Sequence, residues 1–195
     1  MQTLTFEIPR NLELRVTSDE FAAIAAVNRD LRLERTANGE LIVNPPTGGE
    51  SGRRNVKIVR YLDEWTDEQG GICFDSSTGF ELPNGATRSP DASWVSGECW
   101  DALSQSEKEG FIPLCPDFVV ELRSKNDRLK PLQEKMNEYL DNGARLAWLI
   151  DPQNRQVQIY RPDQEVLIFD NLDQISAETV VPGFSLDLQM LWGTN

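Results

Sequence analysis

The chain is 195 residues long, with 19 Lys and Arg against 32 Asp and Glu and no histidine, a formal charge of -13. The missing histidine excludes a His general base, a Ser-His-Asp triad, a Cys-His dyad and every zinc site that depends on imidazole. Polar catalysis is left to carboxylates, Lys, Tyr, Ser or a hard metal ion, and the acidity argues against a protein that coats nucleic acid through its global charge.

The length fits one domain of the usual ~100–200 residues, read as an N-terminal arm over 1–16 and a globular body over 17–192. Cys73, Cys99 and Cys115 are odd in number and form no Cys-x-x-Cys pair, which points to reduced core thiols in a cytoplasmic protein rather than a disulfide framework. The first ten residues hold an acid and no apolar run, so no signal peptide is expected, and no stretch approaches the ~18 apolar residues of a membrane span.

Thr17-Ser18-Asp19-Glu20 predicts a helix start, with Phe21, Ile24 and Ala25 as its apolar stripe. Leu31 to Arg35 and Glu40 to Val43 alternate like strands about an Asn38-Gly39 turn, a hairpin signal. Pro45-Pro46 stops the second strand. Thr47 and Glu50 are spaced as a capping box for a helix that runs to Gln69, where Gly70-Gly71 ends it. Short strands follow at Ile72 to Asp75, Gly79 to Leu82 and Asp91 to Val95, then a polar helical excursion from Glu98 to Gly110. Asp117 to Arg123 reads as a buried strand. Leu129, Leu132, Met136, Tyr139 and Leu140 mark an amphipathic helix ending at Asn142-Gly143. Leu146 to Asp151 reads as a central strand, Val157 to Tyr160 and Val166 to Phe169 as a meander, and Leu186 to Trp192 as a tail docked on the body. The order describes an α+β or mixed α/β fold.

Two segments carry acids on strands. Asp91 follows Pro90 at a strand start. In the strand after Pro116, side chains alternate, so Phe118, Val120 and Leu122 face one way and Asp117, Val119, Glu121 and Arg123 the other. Glu121 lies deep in an apolar run, where a lone carboxylate is costly unless paired, protonated or metal-bound. Two converging strand carboxylates can hold a hard ion such as Mg²⁺. A lysine two residues beyond Glu121 would share its face, but that slot holds Arg123, whose pKa is too high for a base. Lys135 lies at the edge of the next helix's apolar stripe, about 90° from its centre at ~100° per residue, from where its ammonium can reach a neighbouring site. Asp117 reads as structural, and Trp65, Trp94 and Trp148 as core rather than base-stacking platforms.

The chain resembles the Uma-two family of restriction-endonuclease-like proteins, which carries the PD-(D/E)xK nuclease fold. The resemblance spans Thr17 to Trp192. It rests on Asn38 to Val43 followed by Pro46 to Glu50, Ser89-Pro90-Asp91, Pro116 to Ser124, then Lys135 with Tyr139, Gly143 and Trp148 to Pro152. It implies a mixed β-sheet flanked by helices and a metal-dependent endonuclease that hydrolyses DNA. Asp91 and Glu121, with the Leu122 carbonyl, would bind Mg²⁺ or Mn²⁺. Lys135 would replace the lysine missing at position 123, and Glu34, or else Glu50, would be the extra acid of an early element. Restriction-type nucleases suggest a homodimer by analogy.

Arg53 to Arg60 and Glu121 to Lys135 together hold nine basic residues against three acids, a net +6, while the remainder is -19. Arg53, Arg54, Arg123 and Lys125 are therefore candidate phosphate contacts, with modest, salt-dependent DNA binding expected. Two rival readings stand beside the nuclease. One is a non-catalytic module of the same fold that binds nucleic acid or protein, motivated by Arg123. The other is a glycosidase using the two acids, which would need them ~5–10 Å apart in a sugar-stacking cleft.

Overall fold

The computed structural model describes residues 13–177 and 180–193. Most of the expected N-terminal arm, residues 1–12, lies outside the described residues. Along the chain come α1 (Ser18–Val27), β1 (Arg32–Arg35), β2 (Leu41–Asn44), α2 (Gly49–Gln69), β3 (Ile72–Asp75), β4 (Phe80–Glu81), β5 (Thr87–Arg88) and β6 (Ala92–Val95). They are followed by α3 (Gly97–Asp101), α4 (Gln105–Glu109), β7 (Phe118–Leu122), α5 (Leu129–Asp141), β8 (Leu146–Asp151), β9 (Gln156–Tyr160), β10 (Leu167–Asp170), β11 (Gln174–Ser176) and β12 (Ser185–Asp187).

Local sequence accounts for the early elements. Thr17 caps α1 and Glu20 returns the bond to the Thr17 backbone, a complete capping box. The β1–β2 hairpin pairs Arg32 with Asn44 through Arg35 with Leu41. Its turn needs a glycine: Gly39 has φ +84°, and a Cβ there would lie 2.9 Å from the Val16 carbonyl. The second expected capping box does not form. Gly48, not Thr47, takes the cap position of α2 and no side chain caps that end. The helix holds because Ile58, Leu62 and Thr66 bury one stripe.

Six strands form the main sheet in the order β10-β9-β8-β7-β6-β3. Only β7 and β8 run parallel within it, so the chain must cross over between them, and α5 is that crossover. A four-stranded sheet, β2-β1-β5-β4, stands beside it, and β11 and β12 form a separate ribbon. Two of these strands, β5 and β11, are too short, at two and three residues, to show a period in the sequence.

Both faces of the main sheet are covered, and the alternation in β7 shows how. Phe118, Val120 and Leu122 pack under α2 and the C-terminal segment, with Ile58, Leu62, Trp148, Phe184 and Trp192. Val119 faces the other way, toward Met136 and Tyr139 of α5. All residues of β7 and β8 are buried, as expected of strands sandwiched between layers. The tail docks as expected: Leu186, Leu188, Leu191 and Trp192 are buried, and Trp192 Nε1 donates to the Leu172 carbonyl at 2.8 Å. The edge strand β10 is exposed throughout. Among the described residues no helix is long and apolar enough to cross a membrane.

Position in these layers sets the cost of truncation. Phe118 is fully buried with its ring 4.8 Å from that of Trp148, whereas Ile168 on β10 is 54% exposed. Phe118→Ala should lose about 3–5 kcal/mol of unfolding free energy in urea, and Ile168→Thr less than about 0.5 kcal/mol. Equal losses would contradict this assignment of the core.

Candidate active site

The β6–β7 ladder brings the two acids together. Ala92 pairs with Val120 and Ser93 with Val119, so one further step sets Asp91 opposite Glu121. Directly opposed residues of an antiparallel pair share a face, with Cα atoms about 4.5–5.5 Å apart. Pro90 has no N–H to extend the ladder. The Asp91 carboxylate does so instead, accepting from the Leu122 N–H at 2.9 Å through Oδ2.

Helix α5 crosses this face and lays Lys135 and Tyr139, one turn apart, over Glu121. Lys135 Nζ lies 2.7 Å from Glu121 Oε1, and the Tyr139 hydroxyl donates to the same oxygen at 2.9 Å. The ammonium also donates to Glu34 Oε1 at 2.9 Å. Glu34 projects from β1, and its buried carboxylate takes two further donors: the Ser89 N–H on Oε1 at 3.2 Å and Arg88 Nη1 on Oε2 at 3.2 Å. Arg88 in turn donates through Nε to Glu138 Oε2 at 2.6 Å. Arg32 Nη2 stands 3.8 Å from Asp91 Oδ1.

Burial and charge split the three acids. Burial pushes Glu121 up to about 7; Asp91 and Glu34 push the same way, and Lys135 offsets only part. Burial also raises Asp91, against the Leu122 N–H, Lys135 and Arg32. Burial acts on Glu34 as well, but Lys135, Arg88 and the Ser89 N–H outweigh it and hold Glu34 below the ordinary carboxylate range. Lys135 moves up: Glu121 and Glu34 together overcome the burial that disfavours its charge. Tyr139 is driven well above its usual value by burial and by the two carboxylates, so it stays a phenol and a donor.

Glu34, Asp91, Glu121 and Lys135 line an open cleft of about 1170 Å³ between the β1–β2 hairpin, the start of α2 and the β7–α5 turn. A divalent ion implied by the fold family can be tested against the donors. Among the described residues, no three acid or cysteine side chains gather into a ready metal cluster. Asp91 and Glu121 nevertheless fit a hard ion. They offer oxygen donors, share a face in the cleft, and are the two carboxyls that burial holds above their ordinary range. Mg²⁺ keeps several waters and commonly needs only one or two carboxylates.

The remaining expected residues are placed unequally. Glu50 is on the cleft wall but pairs with Arg53 and Arg54 at 3.1 and 3.5 Å, apart from the acid cluster. Arg54 reaches the cleft and donates to the Leu191 carbonyl; Arg53 does not line it. Lys125 lines the cleft from the β7–α5 turn. Arg123 is held away by Asp151 at 2.6 Å. Asp117 accepts from the Ser96 N–H and pairs with Arg145, a structural role. Arg88 and Glu138 were not among the expected site residues, and Tyr139 was expected only as core. Their signals were slight: an arginine three residues before Asp91, and an acid and a tyrosine three and four residues after Lys135.

A mixed sheet flanked by helices is the restriction-endonuclease-like architecture. A crystal structure from Anabaena variabilis ATCC 29413, titled "a putative nuclease belonging to DUF820", aligns with a TM-score of 0.69 at 22% identity, covering 82% of this chain and 89% of that one. A family model, Uma2, described as "Putative restriction endonuclease", matches residues 18–189, and the chain belongs to that family. A second solved structure, titled "cryoEM structure DrdV-DNA complex", aligns at a TM-score of 0.36 and 16% identity, over 62% of this chain and 12% of that one. No curated protein matches the chain.

The raised Glu121 carboxyl has a consequence for stability. In the folded, metal-free protein it keeps its proton to about pH 7, while the unfolded chain releases it near its ordinary 4.5. The folded state binds the extra proton in that window, so the contribution of Glu121 is fully present below about 4.5 and declines as pH rises to 7. Glu121→Gln lacks this loss. Urea denaturation at pH 5 and pH 8 should show the variant gaining on the native protein at the higher pH; a pH-independent difference would refute the shift.

Proposed function

We propose that the protein is a metal-dependent endonuclease that hydrolyses phosphodiester bonds of DNA. The observation that carries this reading is the opposition of Asp91 and Glu121 in the cleft with the Lys135 ammonium 2.7 Å from Glu121. Asp91 and Glu121, with the Leu122 carbonyl, would hold Mg²⁺ or Mn²⁺. Such an ion, when bound, supplies Lewis-acid charge to the phosphate and lowers the pKa of an attacking water.

The rest is done by the chain itself. Lys135 has its pKa raised and so stays charged; it acts as an electrostatic stabiliser of the phosphate rather than as a base. Tyr139 fixes one oxygen of Glu121. Arg54 and Lys125 line the cleft and would touch the backbone phosphates of a bound strand, which would make binding salt-dependent. DNA as substrate is supported by the description of the family as a restriction endonuclease. A homodimer would present one cleft to each strand of a duplex. A reducing cytoplasm is supported by Cys73, Cys99 and Cys115, none of them in a disulfide.

A non-catalytic module is motivated by Arg123 standing where the fold has its lysine. The ammonium at Glu121 comes instead from Lys135, which favours catalysis. The assay is cleavage of supercoiled plasmid and single-stranded DNA with Mg²⁺ or Mn²⁺, native protein beside Asp91→Ala. Loss of several kcal/mol of charge stabilisation predicts a fall on the order of 100-fold or more in the variant. Equal cutting by both proteins rejects the assignment.

A further inference from the structure

The extra acid of the cleft, Glu34, has its oxygens occupied. Oε1 accepts from the Lys135 ammonium and the Ser89 N–H, and Oε2 accepts from Arg88. Arg88 is itself buried and divides its guanidinium between Glu34 and Glu138, two acids on different elements. Glu138 sits one turn after Lys135 on α5. Arg88 therefore ties β1, β5 and the lysine-bearing turn of α5 into one unit. A planar fork can do this, whereas an ammonium would satisfy the two acids from a single point.

We propose that Arg88 is a positioning residue of this site: it fixes Glu34 as the cradle of the Lys135 ammonium instead of a ligand to a divalent ion, so the site takes a single ion, at Asp91 and Glu121. The inference rests on the metal-dependent reading given above and adds the number of ions and the role of a residue outside the acid pair. Glu34 accepts three hydrogen bonds, two on Oε1 and one on Oε2, and two cations hold its pKa low, so its charge is already met without a metal ion. Asp91 Oδ1, by contrast, has only the distant Arg32 guanidinium at 3.8 Å. Glu34 touches Lys135 and neither of the two ligand carboxylates, so its loss should fall on turnover, by the ~10–100-fold typical of an outer partner, rather than on metal affinity.

The test is calorimetry with Mn²⁺ on the full chain, followed by steady-state cleavage of a DNA duplex. The native protein should bind one Mn²⁺ per chain. Glu34→Gln should keep its Mn²⁺ affinity within about threefold, while Asp91→Asn should lose more than tenfold, the distinction expected between a positioning partner and a ligand. Arg88→Met should lower kcat by ~10–100-fold with KM for the duplex within about twofold. An unpaired buried Glu34 could unfold that variant, so Glu34→Gln/Arg88→Met, which leaves no such charge, is measured beside it and should keep Mn²⁺ affinity with the same loss of kcat. Two Mn²⁺ per native chain, a tenfold loss of affinity in Glu34→Gln, or an undiminished kcat in either folded Arg88 variant overturns the proposal. If the native protein binds no Mn²⁺, the metal-dependent reading falls, and this proposal with it.

Discussion

A carboxylate taken out of water must find a cation, a hydrogen-bond donor or a proton, and here three are buried around one ammonium. Lys135 is shared between Glu34 and Glu121, and Arg88 completes the neutralisation of Glu34. Burial holds Asp91 and Glu121 up against the cations near them, whereas at Glu34 Lys135 and Arg88 together outweigh it, so the first two resist ionisation while Glu34 does not. The order of the elements follows from this demand. The crossover helix α5 must pack on the β7 face that bears Glu121, and β1 must lie close enough for Glu34 to reach the same ammonium. Removing one partner of such a network is costlier than its net contribution suggests, because a buried charge would be stranded.

The charge of the chain is reshaped by folding. The basic excess in the Arg53 to Arg60 and Glu121 to Lys135 segments does not become a basic cleft. Glu50 sits one turn before Arg53 and Arg54 and binds both, and Asp151 binds Arg123. Among the described residues that line the cleft, eight are acidic and five basic, and of those five Arg88 and Lys135 are committed to the buried acids. The cleft alone would repel a polyanion. On the proposed reading, a divalent ion at Asp91 and Glu121 would offset that repulsion, and substrate affinity would then be coupled to metal loading.

Much of this was legible in the sequence, and the parts that were not share a cause. Asp91 and Glu121, which the structure brings together, stand out because strand alternation and a preceding proline are local signals. Lys135 stands out because helix geometry fixes its angle, and the structure brings Glu34 rather than Glu50 to its ammonium. Arg88 could not be found that way. Its strand is two residues long, and its partners lie 50 and 54 residues away, so its role exists only in the tertiary structure. Thr47 failed as a cap for a related reason. The pattern was present, but Glu50 has two guanidiniums one turn ahead of it, stronger partners than a backbone N–H, and the helix starts from Gly48 instead.

The displaced lysine is the instructive departure. A lysine two residues beyond Glu121 would share its face, but β7 ends at Leu122, and the β7–β8 register, in which Leu122 pairs with Ile150, carries on to set Arg123 beside Asp151. Position 123 is thus spent on joining two parallel strands at their C-terminal ends, where Asp151 also accepts from the Gln153 and Asn154 N–H groups to shape the following turn. An arginine suits that task because it is always charged and can also donate to the Asp127 carbonyl. The ammonium then has to come from whatever packs on the Glu121 face. Lys135 meets the requirement from the edge of the α5 stripe: its side chain is largely buried, and its charged end reaches two acids on two different sheets. The charge at Glu121 Oε1 is thus set by the face on which α5 packs, not by the residues that follow Glu121 in β7.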